Sequence, residues 1–180
     1  MPSEERDPVH EAFKRREERQ EQNISIFIRQ LQDENPTFRI RSAESLGNIG
    51  DPRAVEPLLK LLSDPIPDVV WVTLQALGKL RDPRAIDPII DCLTSPDRWT
   101  RQGSAWALGE IGDRRTAIVI APLLSDKKKG VRTAAVEALG KLGDPMYTQA
   151  IRELLDDDEM EVRQAARDAL GKLLTLHQTE

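Results

Sequence analysis

The sequence predicts an all-α solenoid, an array of helix pairs repeating every 31 residues, and three observations carry that expectation. Glycines stand at Gly47, Gly78, Gly109, Gly140 and Gly171, each interval equal and none interrupted by an insertion. The residue before each is leucine, and two residues after it comes Ile49, Leu80, Ile111, Leu142 or Leu173. Four after it comes Asp51, Asp82, Asp113 or Asp144, and only the last copy departs, with Thr175. A fixed period in this range marks stacked units, none of which can bury its apolar face alone. Composition agrees: 39% of the residues are hydrophobic but 4% aromatic, so the core must be Leu, Ile, Val and Ala.

The elements follow in order. Residues 1–22 form a charged extension; EAFKRREERQEQ reads either as a helix after Asp7-Pro8, with Val9, Ala12 and Phe13 as a docking stripe, or as a mobile arm. Residues 23–34 read as a half-repeat, because Ile24, Phe27, Ile28 and Leu31 precede Val55, Leu58, Leu59 and Leu62 by one period. Full repeats cover 35–65, 66–96, 97–127 and 128–158, followed by a single helix over 159–174 and a tail, 175–180.

Within each repeat two helices are expected. In the fourth copy the first is GVRTAAVEALGKLGD, where Val131, Ala135, Ala138, Leu139 and Leu142 form one apolar stripe. Gly143 suits the left-handed residue that ends it. The aspartate that follows caps the next helix, and Pro52, Pro83 and Pro145 stand after it, where a missing N–H costs nothing; Arg114 replaces proline in the third copy. The second helix of the first copy, RAVEPLLKLL, should bury Ala54, Val55, Leu58, Leu59 and Leu62. Pro57 and Pro88 must then lie near its beginning, after a tighter turn, since an interior proline costs about 3 kcal/mol. Pro122 falls three positions later.

The repeat glycine inside the first helix costs about 1 kcal/mol against alanine, so its recurrence points to close helix approach. An arginine recurs at Arg39, Arg101, Arg132 and Arg163, with Val70 breaking the series, and is expected to pair with Asp51, Asp113 and Asp144. The last copy ends after its first helix. EMEVRQAARDALGKLL is only partly polar, whereas terminal units need polar outer faces, so this helix is expected to be mobile or covered by a partner.

VRTAAVEALGKLGDP and SAESLGNIGDPRAVEPLLKLLSD resemble the HEAT-like repeats of the phycobilisome-lyase type, and the resemblance covers residues 23–174. It implies a right-handed superhelix with the first helices on the concave side. For function it implies several classes: bilin lyase subunits, phycobilisome-degradation factors, hydroxylases and scaffolds.

Three tryptophans stand out against this background. Counting from the repeat glycine, Trp99 lies at position −10, Trp71 at −7 and Trp106 at −3. On a helix these positions fall within roughly 60° of each other and about 150° from the core stripe. Their siblings are mostly polar or small: Glu44, Gln75, Glu137 and Asp168 share the column of Trp106. The rings should therefore face outward, Trp71 beside Trp99, Trp106 and Gln102. Gln75, Lys79, Gln102 and Glu110 are expected at the rim, with Gly103 leaving room beside the rings. Each ring can bury about 150–250 Å², and aromatics in a polar-rimmed concavity suit a binding anchor. Packing without any ligand is the alternative. Ile118, whose siblings are Glu56, Asp87 and Gln149, is a second exposed apolar candidate, read as extra burial or a contact with a second copy.

The chemistry of catalysis is not apparent. Hydroxylases with such repeats carry His-Glu pairs on their first helices; here those positions hold Ile40-Arg41, Trp71-Val72, Gln102-Gly103, Thr133-Ala134 and Gln164-Ala165. His10-Glu11 is a single pair in the extension and His177 lies in the tail. Cys92, the one cysteine, aligns with Leu61, Leu123 and Leu154 as a core position and fits a reducing compartment. No cofactor or metal site is expected. The net charge of −5 offers no attraction to nucleic acid or an anionic membrane surface, and Lys127-Lys128-Lys129 reads as a solvated turn. No apolar run approaches a membrane span and no signal segment opens the chain, so a cytoplasmic location is expected.

These residues together predict a non-catalytic scaffold that grips a protein partner through a concave groove at Trp71, Trp99 and Trp106. The alternative is a bilin-lyase-like protein handling a linear tetrapyrrole on a phycobiliprotein client. Self-association is expected, if it occurs, through Ile118 or the C-terminal helix.

Overall fold

The computed structural model describes residues 8–176, apart from a few side chains near its two ends. The tail beyond Leu176 with His177, the His10 side chain and the Ala12 side chain of the expected docking stripe lie outside the described residues.

Among the described residues ten α-helices form two layers. One layer holds the first helices of successive repeats: α2 (Pro36–Ile49), α4 (Pro67–Leu80), α6 (Arg98–Ile111), α8 (Lys129–Leu142) and α10 (Met160–Leu176). Each packs on the next. The other layer holds α1 (Pro8–Gln30) and the shorter α3 (Val55–Leu59), α5 (Ile86–Cys92), α7 (Ala117–Ile120) and α9 (Thr148–Glu153).

The second helices are short because each begins with a 3₁₀ turn: Pro52–Ala54, Pro83–Ala85, Arg114–Thr116 and Pro145–Tyr147. Asp51, Asp82, Asp113 and Asp144 each accept from the backbone N–H two residues on, which is the expected cap. The turn forms equally at Arg114, so capping aspartate suffices without proline. After α3 the chain tightens again into 3₁₀ geometry over Lys60–Ser63. The tighter turn adds Leu61 to the buried set beside Val55 and Leu58, while Leu59 and Leu62 pack against the core partly buried. Pro122 has a related effect: it cannot donate to Ile118, and α7 gives way to 3₁₀ turns at Ala121–Ser125.

The first helices bury a broader face than the sequence stripe alone. Ala43, Leu74, Ala105 and Val136, all at position −4, are fully buried. Between neighbours the repeat glycine is essential: a Cβ on Gly109 would lie 2.8 Å from the Ala138 Cα, and one on Gly140 would lie 2.7 Å from the Ala169 Cβ. At the end of α4, where α2, α6 and α8 use glycine, Arg81 adopts the left-handed conformation with φ 52°.

The recurrent arginines do not pair with Asp51, Asp113 and Asp144, which the caps and neighbouring Arg53 and Arg115 engage. Instead Arg39, Arg101 and Arg132 form bidentate pairs with Asp64, Asp126 and Asp157 in the loop that closes the same repeat. The same guanidinium holds carbonyls of the preceding loop, as Arg132 does at the Asp126 oxygen, 2.7 Å away. Position −8 begins the first helix and lies between two inter-repeat loops, far from the aspartates at its other end. Repeat 66–96 lacks both partners, with Val70 and Ser95 in their places.

Extension and half-repeat form one continuous helix of 23 residues. At about 1.5 Å per residue, α1 overhangs the 14-residue α2, and Val9 and Phe13 each remain 60% exposed. At the other end α10 is seated through Val162, Ala166, Ala169 and Leu173, all buried. Exposed Asn23 stands where Ala54 and Ala85 are fully buried, and exposed Arg167 where Val136 is. Both positions thus carry polar residues in columns that are apolar in those inner repeats.

Candidate functional site

The three indoles lie on two adjacent first helices. Asp97 caps α6 by accepting from the Thr100 N–H at 2.7 Å, which fixes Trp99 in the first turn and Trp106 two turns later. Trp71 sits in the first turns of α4, and its ring meets the edge of Trp99 with centroids 5.9 Å apart and planes at 74°. The Arg98 guanidinium stacks 4.5 Å from the Trp99 centroid.

Two rings lie down across the α4–α6 seam instead of standing clear of it. Trp106 leans back over α4: a Cβ on Gly78 would come within 2.7 Å of its ring. Trp71 leans forward over α6, where a Cβ on Gly103 would meet its ring at 3.1 Å. The room expected beside Gly103 is thus filled by Trp71 itself, because the missing side chain lets the indole settle on the backbone. Trp71 and Trp106 are half-buried, and Trp99 is 45% exposed.

Between Trp71 and Trp106 opens a groove of about 410 Å³. Gln75 and Gln102 line it with the two rings, while Thr133, Ala134 and Glu137 of α8 and Glu161 of α10 form the opposite side. Those residues of α8 are the columns of Gln102, Gly103 and Trp106 taken one period on, so a column-by-column reading could have found them. Trp99 does not line this groove; it walls a neighbouring trench.

Lys79 and Glu110 do not line the groove either. Lys79 donates to Asn48 Oδ1 at 2.8 Å, toward the preceding repeat. Glu110 is held between Arg81, at 3.1 Å, and Lys141. Partial burial raises the Glu110 carboxyl, but hydrogen bonds from Lys141 and Arg81 outweigh it and hold its pKa below the ordinary value. Lys141 also stands 5.8 Å from the Trp106 centroid, so this carboxylate steadies a cation over the indole. Lys129, at the groove margin, is held by Glu161 and Glu159, which raise its pKa.

Elsewhere, Ile118 is 69% exposed on the second-helix layer, away from the groove. Cys92 is half-buried, donates to the Pro88 carbonyl and has its thiol pKa pushed up by burial. Among the described residues no group of three His, Cys, Asp or Glu could hold a metal ion, and no helix is long and apolar enough to cross a membrane.

The HEAT repeats family matches residues 24–105 and 86–171. No curated protein matches the chain. Among solved structures, a chain of the CpcE–CpcF complex of phycocyanin lyase from Nostoc sp. PCC7120 superposes with a TM-score of 0.77 at 25% identity, covering 84% of this chain. This chain spans 65% of the length of that one. A designed armadillo repeat protein in complex with the peptide (KR)4 gives 0.62 at 18% identity, covering 83% of this chain and 81% of its own. Human deoxyhypusine hydroxylase in complex with glycerol gives 0.51 at 20%, covering 84% and 74%. These last two share the helical repeat fold.

Proposed function

Because the chain belongs to the HEAT-repeat family, we propose that it is a non-catalytic scaffold holding a protein partner in the groove between Trp71 and Trp106. The observation that carries this reading is the pair of half-buried indoles on the floor of an open groove, each positioned by a glycine on the facing helix. Rings fixed this way offer apolar area at little cost in side-chain entropy, which suits a binding anchor. Gln75 and Gln102 offer amide donors and acceptors to a partner backbone.

The likeness to the phycocyanin lyase chain supports a second reading, a chromophore-handling protein whose groove receives a linear tetrapyrrole. The client would then supply the acceptor cysteine.

One paired experiment separates these. Proteins captured from the host by wild type are compared with those captured by a Trp71→Ala/Trp106→Ala variant of unchanged helicity, and both are mixed with biliverdin. A partner lost by the variant, with no shift of the biliverdin band, fits the scaffold. An indole-dependent band shift fits the second reading. Identical capture by both proteins and no band shift would remove the groove from either account.

A further inference from the structure

The run Lys127-Lys128-Lys129 breaks a local rule. It leads into the N-terminus of α8, where a helix favours a short polar cap and disfavours cations. Asn35 and Asp97 cap α2 and α6 through their side chains, whereas Lys128, like Ile66 at the start of α4, makes no side-chain cap, and Lys128 alone adds a cation there. The missing cap costs about 1 kcal/mol. Residues that act against their own helix are expected where function requires them.

The lysines face a trench of about 540 Å³, walled by Arg98 and Trp99 on one side and by Lys127, Lys128 and Lys129 on the other. Glu159 is the carboxylate on its lining, and Lys129 already engages it at 3.2 Å and Glu161 at 3.0 Å. Arg98, Lys127 and Lys128 make no ion pair among the described residues. Arg98 is instead held against the Trp99 face. The trench therefore presents an excess of positive charge, Arg98 and three lysines against Glu159, beside an aromatic wall on a chain of net charge −5. It is continuous with the groove, since Gln102, Lys129 and Gly130 line both.

We infer that this trench receives an acidic stretch of the partner polypeptide, in the same segment whose apolar residues occupy the Trp71–Trp106 groove. The inference rests on the groove reading proposed above. Charge complementarity favours a few carboxylates over a polyanion: Glu159 stands on the trench lining, and a long nucleic acid continuing into the groove would meet Glu137 and Glu161.

The test uses a random peptide library displayed on phage and panned against the full chain. Parallel selections use Lys127→Glu/Lys128→Glu and Trp71→Ala/Trp106→Ala. Both lysines are exposed and an acidic residue suits a helix N-terminus, so the reversal variant should melt at or slightly above the wild-type temperature. Wild type should select peptides joining acidic residues to an aromatic or aliphatic residue. A selected peptide, labelled with fluorescein, should bind the lysine variant about tenfold more weakly and weaken steadily with sodium chloride. Acidic enrichment that survives the lysine reversal overturns the inference. So does selection of apolar peptides without acidic residues, which would leave the groove reading standing. Acidic enrichment lost in the lysine variant but untouched in the tryptophan variant would support the trench and remove the groove. Failure to select any sequence sinks both. An oligothymidylate that displaces the peptide at lower concentration than the unlabelled peptide itself would reassign the trench to nucleic acid.

Discussion

The α4–α6 and α6–α8 seams share one backbone contact and differ in what lies on top. In the first, a Cβ on Gly78 would be 3.0 Å from the Ala107 Cα; in the second, one on Gly109 would be 2.8 Å from the Ala138 Cα. Ala107 and Ala138 are sealed alike, at 0% and 1% exposure. Yet Trp106 covers the first seam, whereas its counterpart over the second is Glu137. The Ala138 contact is sealed with no ring above it, so the close backbone approach itself does not depend on an indole. The indoles are an addition to a closed core, and that difference separates what folds the array from what the groove offers.

The largest expected effect breaks the shared contact. Gly109→Ala places its methyl against the Ala138 backbone, so α6 and α8 must part, at a cost of about 2 kcal/mol. Gly171 occupies the same column, but nothing lies within 4 Å of a Cβ there. Gly171→Ala should therefore stabilise α10 by up to about 1 kcal/mol through helix propensity alone. Thermal melting of the two variants should move in opposite directions. A fall in both would mean that the column marks backbone strain and not close approach.

Next in size is the arginine ladder, which ties the α6–α8 side and is absent from repeat 66–96. Arg132→Ala leaves Asp157, whose side chain is 8% exposed, without its bidentate partner, and should cost about 2 kcal/mol. Hydrogen bonds from Arg132 hold the Asp157 carboxyl below its ordinary pKa. A depressed carboxylate contributes stability that is fully present above its unfolded pKa and lost as pH falls through the folded one. The difference between wild type and variant should then be constant near neutrality and shrink below about pH 4. Urea unfolding at several pH values measures it, and a pH-independent difference would assign the effect to packing.

A smaller effect concerns the ring itself. Trp106→Gln, matching Gln75 one period earlier, should lower stability by about 1 kcal/mol or less while weakening groove binding by about 2 kcal/mol. A melting loss as large as that of Gly109→Ala would show that the indole belongs to the core after all.

Much of this was legible because a repeat reports each position several times. The period, the apolar stripe and the aspartate caps all rest on columns, and columns average out local accidents. The failures came where a contact crosses repeats. Arg39 was matched to Asp51 because both recur, but recurrence cannot say which of two aspartate series lies nearer in space. Gly103 was read as empty space, yet the neighbouring helix fills it with Trp71.

The smallest effect sits on α4. Arg81 takes the left-handed conformation that Gly50, Gly112 and Gly143 take in their repeats, and a side chain there costs about 1 kcal/mol. Its guanidinium recovers part of this by reaching Glu110 at 3.1 Å, but at 65% exposure such a pair is worth a few tenths of a kcal/mol. Arg81→Gly should thus raise stability by about 0.5 kcal/mol. Glu110 keeps Lys141, so the cation over Trp106 should stay in place and affinity for a groove-selected peptide should not change. Measured together, the two quantities test whether folding and binding are separable on this helix. A more stable variant that binds less well would place Arg81, through Glu110 and Lys141, among the residues that position the ring.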